Sequence, residues 1–170
     1  MTIQDEASAV TENAFRETFD AFYARERQKI TGLAFVLSGS RSGAEDLCQE
    51  AFLAALRNWN RISAYDDPAA WVRRVVANRS VSGFRKRAAE ARALIRLQGS
   101  QSTVPPLAAE TVATWDAVRR LPTRQAQAVA LKYFDGQQVS DIARILECSE
   151  NTVKTHLKRA MATLRQEMER

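Results

Sequence analysis

Apolar residues recur at three- and four-residue spacing along most of the chain, and short polar breaks cut this pattern into segments. The first segment predicts a helix from Ala14 to Leu37. Phe15, Phe19, Phe22 and Tyr23 open its stripe, and Ile30, Leu33, Ala34 and Leu37 continue it as core. The turn-rich stretch from Ser38 to Gly43 reads as a break. A second helix, Ala44 to Trp59, shows two apolar stripes: Leu47, Ala51 and Ala54 on one side, Phe52, Leu56 and Trp59 on the other. Asp46, Gln49 and Glu50 lie between them. Such a helix is either deeply buried or turns one face to a partner. The polar strip favours a partner, because buried carboxylates need specific counter-charges. Asn60 to Asp67 reads as a loop. Asp67 is placed to cap the next helix and Pro68 suits its first position.

The third predicted helix, Ala69 to Arg87, sets Trp71, Val72, Val75 and Val76 on its apolar side and Arg73, Arg74, Arg79, Arg85, Lys86 and Arg87 on the rest. Gly99 to Pro106 is small, polar and ended by two prolines, which marks a linker. Beyond it, Thr111–Arg120 turns Val112, Trp115 and Val118 inward. Leu121-Pro122 stops that helix, and Thr123 reads as the cap of Arg124–Phe134. The alternation that marks strands is absent, so the fold class is all-α.

The most informative stretch is Val139–Arg165. Val139, Ile142, Ala143 and Leu146 form one short stripe, and Val153, Leu157, Ala160 and Leu164 form the inward face of a longer helix whose N-cap is Ser149. Asn151, Lys154, Thr155 and Lys158 fall opposite. Amide and hydroxyl groups suit base edges, and ammonium groups suit phosphates. The stretch reads as a helix-turn-helix whose second helix enters DNA. Glu147 stands where such turns usually place glycine, and a left-handed side-chain residue there costs about 1 kcal/mol.

Charge strengthens this reading. The net charge is +5, but Met1–Pro68 carries seven basic and eleven acidic residues, while Ala69–Gln98 carries eight basic and one acidic. No acid occurs from Ala69 to Ala89 or from Lys154 to Arg165. Two separated cationic helices suggest two contacts with a polyanion. A solvated arginine face would mix in acids at four-residue spacing. No run approaches a membrane span and the N-terminus lacks a signal pattern, so a cytoplasmic protein is expected. Cys48 and Cys148 read as reduced thiols. With His156 the single histidine, no metal, cofactor or catalytic constellation is expected, and an enzyme is poorly supported.

The ordered parts are Asp46-x-x-Gln49-Glu50-x-Phe52, Ala70-Trp71 through Ala77-Asn78-Arg79, a linker, Leu121-Pro122-x-Arg124-Gln125, and Asp141-Ile142-Ala143 through Thr152-Val153-Lys154. This set resembles bacterial RNA polymerase sigma factors of the extracytoplasmic-function group, the small members with only sigma domains 2 and 4. The resemblance covers about Phe15 to Arg165. It implies a leader over residues 1–13, a domain 2-like body over 14–90, a linker over 91–110 and a domain 4-like body over 111–170, with core RNA polymerase and promoter DNA as partners. An anti-sigma protein is a common further partner of the group. Asp46, Gln49, Glu50 and Phe52 match the polymerase-docking helix. Asn60, Ser63 and Tyr65 fall in the loop that captures an unpaired base of the −10 element. Flipping a base costs a few kcal/mol that a pocket must return. Arg74, Asn78, Arg79, Arg85 and Lys86 match the −10 contacts. Ser149, Asn151, Thr152, Lys154, Thr155, His156, Lys158 and Arg159 match the −35 reader. Departures are Glu147 in the turn, a polar Gly136-Gln137-Gln138-Val139 lead, and Ser82-Gly83-Phe84, which weakens the third helix near its end. The alternative function is a stand-alone helix-turn-helix regulator binding a palindrome as a dimer.

Overall fold

A computed structural model describes residues 16–94 and 109–169, with the side chains of 82–94, 109–110 and 168 outside that description. The described residues form helices and turns without a strand. The leader, Phe15 and the glycine–proline stretch Gly99–Pro106 fall outside them.

Helix α1 spans Phe19–Ser38, five residues shorter at its start than the periodicity predicted. The cap decides the boundary: Thr18 has extended backbone, and its hydroxyl accepts from the Ala21 N–H at 3.3 Å. Gly39, in the left-handed region at φ 73°, ends the helix. Helix α2 spans Arg41–Arg57. The expected break therefore shrinks to two residues, because Ser40 caps α2 by accepting from the Gly43 N–H at 3.1 Å. The predicted loop Asn60–Asp67 also contains helix: the single turn α3, Trp59–Ile62, takes in Asn60. Asp67 caps α4 as expected, accepting from Ala70 N–H at 3.0 Å. Helix α4 spans Pro68–Leu94, and its backbone runs through Ser82-Gly83-Phe84 without a break.

The second half begins with α5, Ala109–Arg120, and α6, Thr123–Val129. Thr123 is the first residue of α6 and not its cap. Pro122 takes the cap position, where its fixed φ suits helix entry. Residues Ala130–Phe134 widen into a π-helical turn, closed by Asp135 N–H to Ala130 C=O at 3.1 Å. Helices α7, Val139–Leu146, and α8, Glu150–Met168, complete the chain.

Phe22, Ile30, Leu33 and Val36 of α1 pack with Ala51, Phe52, Val72 and Val76 of α2 and α4. Aromatic rings close the lower end: Phe22 and Trp59 lie 4.7 Å apart between centroids, and Tyr23 and Phe52 lie 4.8 Å apart edge to face. Burying a side chain such as Phe22 contributes about 1.5–3 kcal/mol. The same buried cluster continues into Leu131, Ile142, Ile145, Leu146 and Val153, so the two halves share one core. A smaller cluster joins Val118, Leu121, Ala126, Val129 and Ala160 of α5, α6 and α8.

Candidate nucleic-acid interface

The helix-turn-helix is built as the sequence indicated. Ile142, Ala143, Ile145 and Leu146 of α7 are buried, and Val153 and Ala160 anchor α8 beneath them. Glu147 takes the left-handed conformation, φ 54° and ψ 48°, and its N–H caps α7 on the Ala143 carbonyl. Ser149 caps α8 by accepting from Thr152 N–H at 3.1 Å. That geometry leaves Asn151, Lys154, Lys158 and Arg159 exposed on the outer face.

Several expected contacts are partly occupied within the helix. The Ser149 and Thr152 hydroxyls lie 2.8 Å apart. The Thr155 hydroxyl donates to the Asn151 carbonyl at 2.9 Å, which leaves its methyl as the part a thymine methyl can meet. His156, grouped by the resemblance with the −35 reader, is less open than its neighbours Lys154, Thr155 and Lys158. It is half-buried, its Nδ1 has no hydrogen-bond partner, and burial, then Arg124 and Arg159, push its pKa below the ordinary value. It faces the inner flank of α8 more than the outer one.

Helix α4 divides its arginines. Asn78 and Arg79 are exposed and Arg74 is half-buried, whereas Arg73 is 5% exposed. The basic face read from sequence therefore excludes Arg73. It lies between Glu26 of α1, at 3.5 Å, and Asp135 beyond the π-helical turn, to which it donates from Nε and Nη2. Sequence reasoning passed over this triad, though part of it was marked. Glu26 sits four residues from both Phe22 and Ile30, and Arg73 four from both Ala69 and Ala77, each inside an apolar stripe. Arg85 and Lys86 lie outside the described side chains.

The loop after α3 exposes Tyr65, and Ser63 donates to the Asn60 carbonyl at 3.4 Å. A cleft of about 540 Å³ lies here, lined by Tyr65, Asp66, Asp67, Trp71, Arg74 and Arg144.

On α2, Asp46, Gln49 and Glu50 are exposed as expected, and Glu50 pairs with Arg79 at 2.6 Å. Phe52 is a correction. It is 3% exposed, held among Phe19, Phe22 and Tyr23, and presents no surface to a partner. The apolar side chains beside the acidic strip are instead Leu53 and Leu56, 43% and 50% exposed. Phe52 and Leu53 are adjacent, about 100° apart around the helix, and only packing against α1 fixes which of them is buried. Among the described residues no helix is long and apolar enough to cross a membrane, and no group of three His, Cys, Asp or Glu could hold a metal ion.

A capped helix-turn-helix with an outward reading helix, beside a second helical body bearing exposed arginines, defines a two-headed DNA-binding transcription protein. Family models give the particular family: sigma-70 region 2 matches residues 22–90 and sigma-70, region 4 matches 111–164. The chain belongs to the sigma-70 family, in its extracytoplasmic-function (ECF) group. It is 30% identical over 155 residues to the ECF RNA polymerase sigma factor SigM of Mycobacterium tuberculosis, across 88% of this chain and 76% of that one. It is 25% identical over 172 residues to ECF RNA polymerase sigma factor SigW of Bacillus subtilis, across 92% and 90%. The fold is shared with the sigma factor RpoE of Bartonella quintana, solved with the anti-sigma factor NepR. That match has TM-score 0.69 and 22% identity, over 89% of this chain and 96% of that one. It is also shared with CnrH, solved with the cytosolic domain of CnrY, at TM-score 0.64 and 21% identity, over 89% and 87%.

Proposed function

We propose that this chain is the promoter-specificity subunit of a bacterial RNA polymerase and acts in the cytoplasm without covalent chemistry of its own. Asp46, Gln49, Glu50, Leu53 and Leu56 dock on the core enzyme. Tyr65 and its loop receive an unpaired −10 base, Arg74, Asn78 and Arg79 hold the adjoining backbone, and the outer face of α8 reads the −35 element. The working division is 14–90 for the first body, 91–110 for the tether and 111–170 for the second. Each body alone binds DNA weakly, and the tether and polymerase raise the effective concentration of the second contact. The observation that carries this reading is the coexistence of an open recognition helix with an exposed Leu53–Leu56 strip edged by carboxylates. A self-sufficient regulator needs the first and has no use for the second. An anti-sigma protein, as in the complex of RpoE with NepR, is the regulator this reading anticipates.

The test is run-off transcription from a genomic promoter library with core polymerase. Transcripts that require both components support the assignment. A folded chain that starts none, yet binds a palindromic duplex tightly alone, is the regulator instead.

A further inference from the structure

We propose that the cleft at Tyr65 selects guanine: Tyr65 and Trp71 stack the ring, and the unengaged carboxylate of Asp66 accepts from the two adjacent N–H donors on its pairing edge. The place of this selection in transcription rests on the assignment of the cleft to an unpaired −10 base. The chemistry of ring and carboxylate does not.

The cleft encloses about 540 Å³, within the roughly 300–1,000 Å³ of small-molecule sites. Tyr65, Asp66, Trp71 and Arg74 line it, and all four belong to the first body. Tyr65 is 41% exposed and Trp71 half-buried, so both keep ring surface outside the core. Unpaired bases stack on such rings whatever their identity. Stacking therefore holds a base here but does not choose it.

The choice falls to hydrogen bonds, and the donors of the loop are already engaged. The N–H groups of Ser63, Ala64 and Tyr65 donate to the Trp59, Arg61 and Ile62 carbonyls at 2.8, 3.2 and 3.0 Å. The Ser63 hydroxyl donates to the Asn60 carbonyl. The two neighbouring carboxylates differ. Asp67 accepts from the Ala70 N–H at 3.0 Å and is committed to the start of α4. Asp66 is exposed and accepts no hydrogen bond from any described residue. The edge reader left in the cleft is thus an acceptor, because an ionised carboxylate donates nothing and accepts through two oxygens.

Of the four bases, only guanine sets two N–H donors, on N1 and N2, side by side on its pairing edge. Adenine and cytosine place an amino group beside a bare ring nitrogen, whose lone pair a carboxylate repels. Thymine places one N–H between two carbonyls. A bidentate fit therefore ranks guanine first, by roughly tenfold or more.

Arg74 gives a second sign of an absent acceptor. Its Nη1 and Nη2 donate to Glu147 at 3.0 Å and to the Arg144 carbonyl at 2.8 Å, but its Nε is buried with no partner. A buried donor left unpaired is costly. A nucleotide phosphate, or O6 of the same guanine, is an acceptor of the kind it lacks. The base can come from a melted strand or from a free nucleotide, and the recognising chemistry is the same for both.

The test has two arms. In the first, core polymerase with the full chain transcribes pre-melted promoter templates. These carry each of the four bases in turn at every unpaired −10 position of the non-template strand. The expected result is one position where guanine is favoured at least tenfold over the other three. Asp66→Asn, which keeps the Asp67 cap, should cut that preference to about threefold or less. Tyr65→Ala should lower all four bases together, and Tyr65→Phe should restore them. In the second arm, equilibrium dialysis measures binding of guanosine and cytidine monophosphates by the full free chain. Saturable binding of the guanine nucleotide alone, weakened at least fivefold by Asp66→Asn, makes a free nucleotide a ligand as well. A guanine preference in the first arm without such binding confines the ligand to the strand. Absence of both, or a preference that Asp66→Asn leaves unchanged, overturns the proposal, while transcription itself keeps the sigma assignment. Guanine nucleotide held through Asp66 by a chain that starts no transcript leaves the cleft standing and removes that assignment.

Discussion

Glu147 and Arg74 meet at 3.0 Å across 73 positions of sequence, and the carboxylate belongs to the one non-glycine residue with positive φ among those described. Two terms oppose at this position. The left-handed conformation costs a side-chain residue about 1 kcal/mol, while an ion pair whose side chains are 33% and 63% exposed returns about 0–1 kcal/mol. Glu147→Gly should therefore leave stability unchanged or raise it by up to about 1 kcal/mol, moving the unfolding midpoint by no more than a few degrees. A thermal melt reads this, and a clear loss of stability would show that the pair outweighs the strain.

Leu53 and Leu56 are exposed without a partner in the folded chain. Replacing both by Glu should cost about 1–3 kcal/mol of stability, because roughly half of each side chain is covered. The same change should weaken core polymerase binding at least tenfold in fluorescence anisotropy. Phe52→Ala gives the contrast: it should cost about 3–5 kcal/mol of stability, since that ring is core.

Lys154 and Lys158 project from the outer face of α8. Replacing both by Ala should weaken promoter binding across sequences and reduce the salt slope by about 0.9 for each phosphate no longer neutralised. Asn151→Ala should instead flatten base preference at one or two −35 positions and leave the slope alone. Filter binding of a randomised −35 duplex at several salt concentrations distinguishes the two effects. An unchanged slope in the lysine variant would mean that another face meets DNA.

His156 predicts a pH dependence. Its pKa lies below the ordinary 6.5 in the folded chain, first because burial penalises the cation, then because Arg124 and Arg159 repel it. The unfolded chain therefore takes up the proton first as pH falls. Stability is full above the unfolded value and declines from about pH 6.5 down toward the folded value. The unfolding midpoint should drop more between pH 7.5 and 5.5 for wild type than for His156→Gln. Equal drops would place the titrating group elsewhere.

Much of this molecule could be read before any coordinates. The helix-turn-helix, the Ser149 and Asp67 caps and the all-helical class follow from periodicity and capping chemistry, whereas the sequence left open whether the turn at Glu147 is strained or differently shaped. These are relations among residues within about one helical turn of each other. The errors were also local in origin. Ser40, and not Gly43, marked the start of α2, and Phe52 was assigned to the wrong one of two plausible faces.

The sequence by itself thus determined the helices, the two cationic segments and the residues able to meet DNA, because each is written in spacing and side-chain type. Tertiary structure alone decided which arginines are available. Arg73 finds its partners 47 and 62 positions away, and Arg74 its own 70 and 73 positions away. No periodicity records such distances. Whether a basic side chain faces solvent or an internal carboxylate is fixed only when the helices pack, since burial demands a counter-charge that local sequence does not supply.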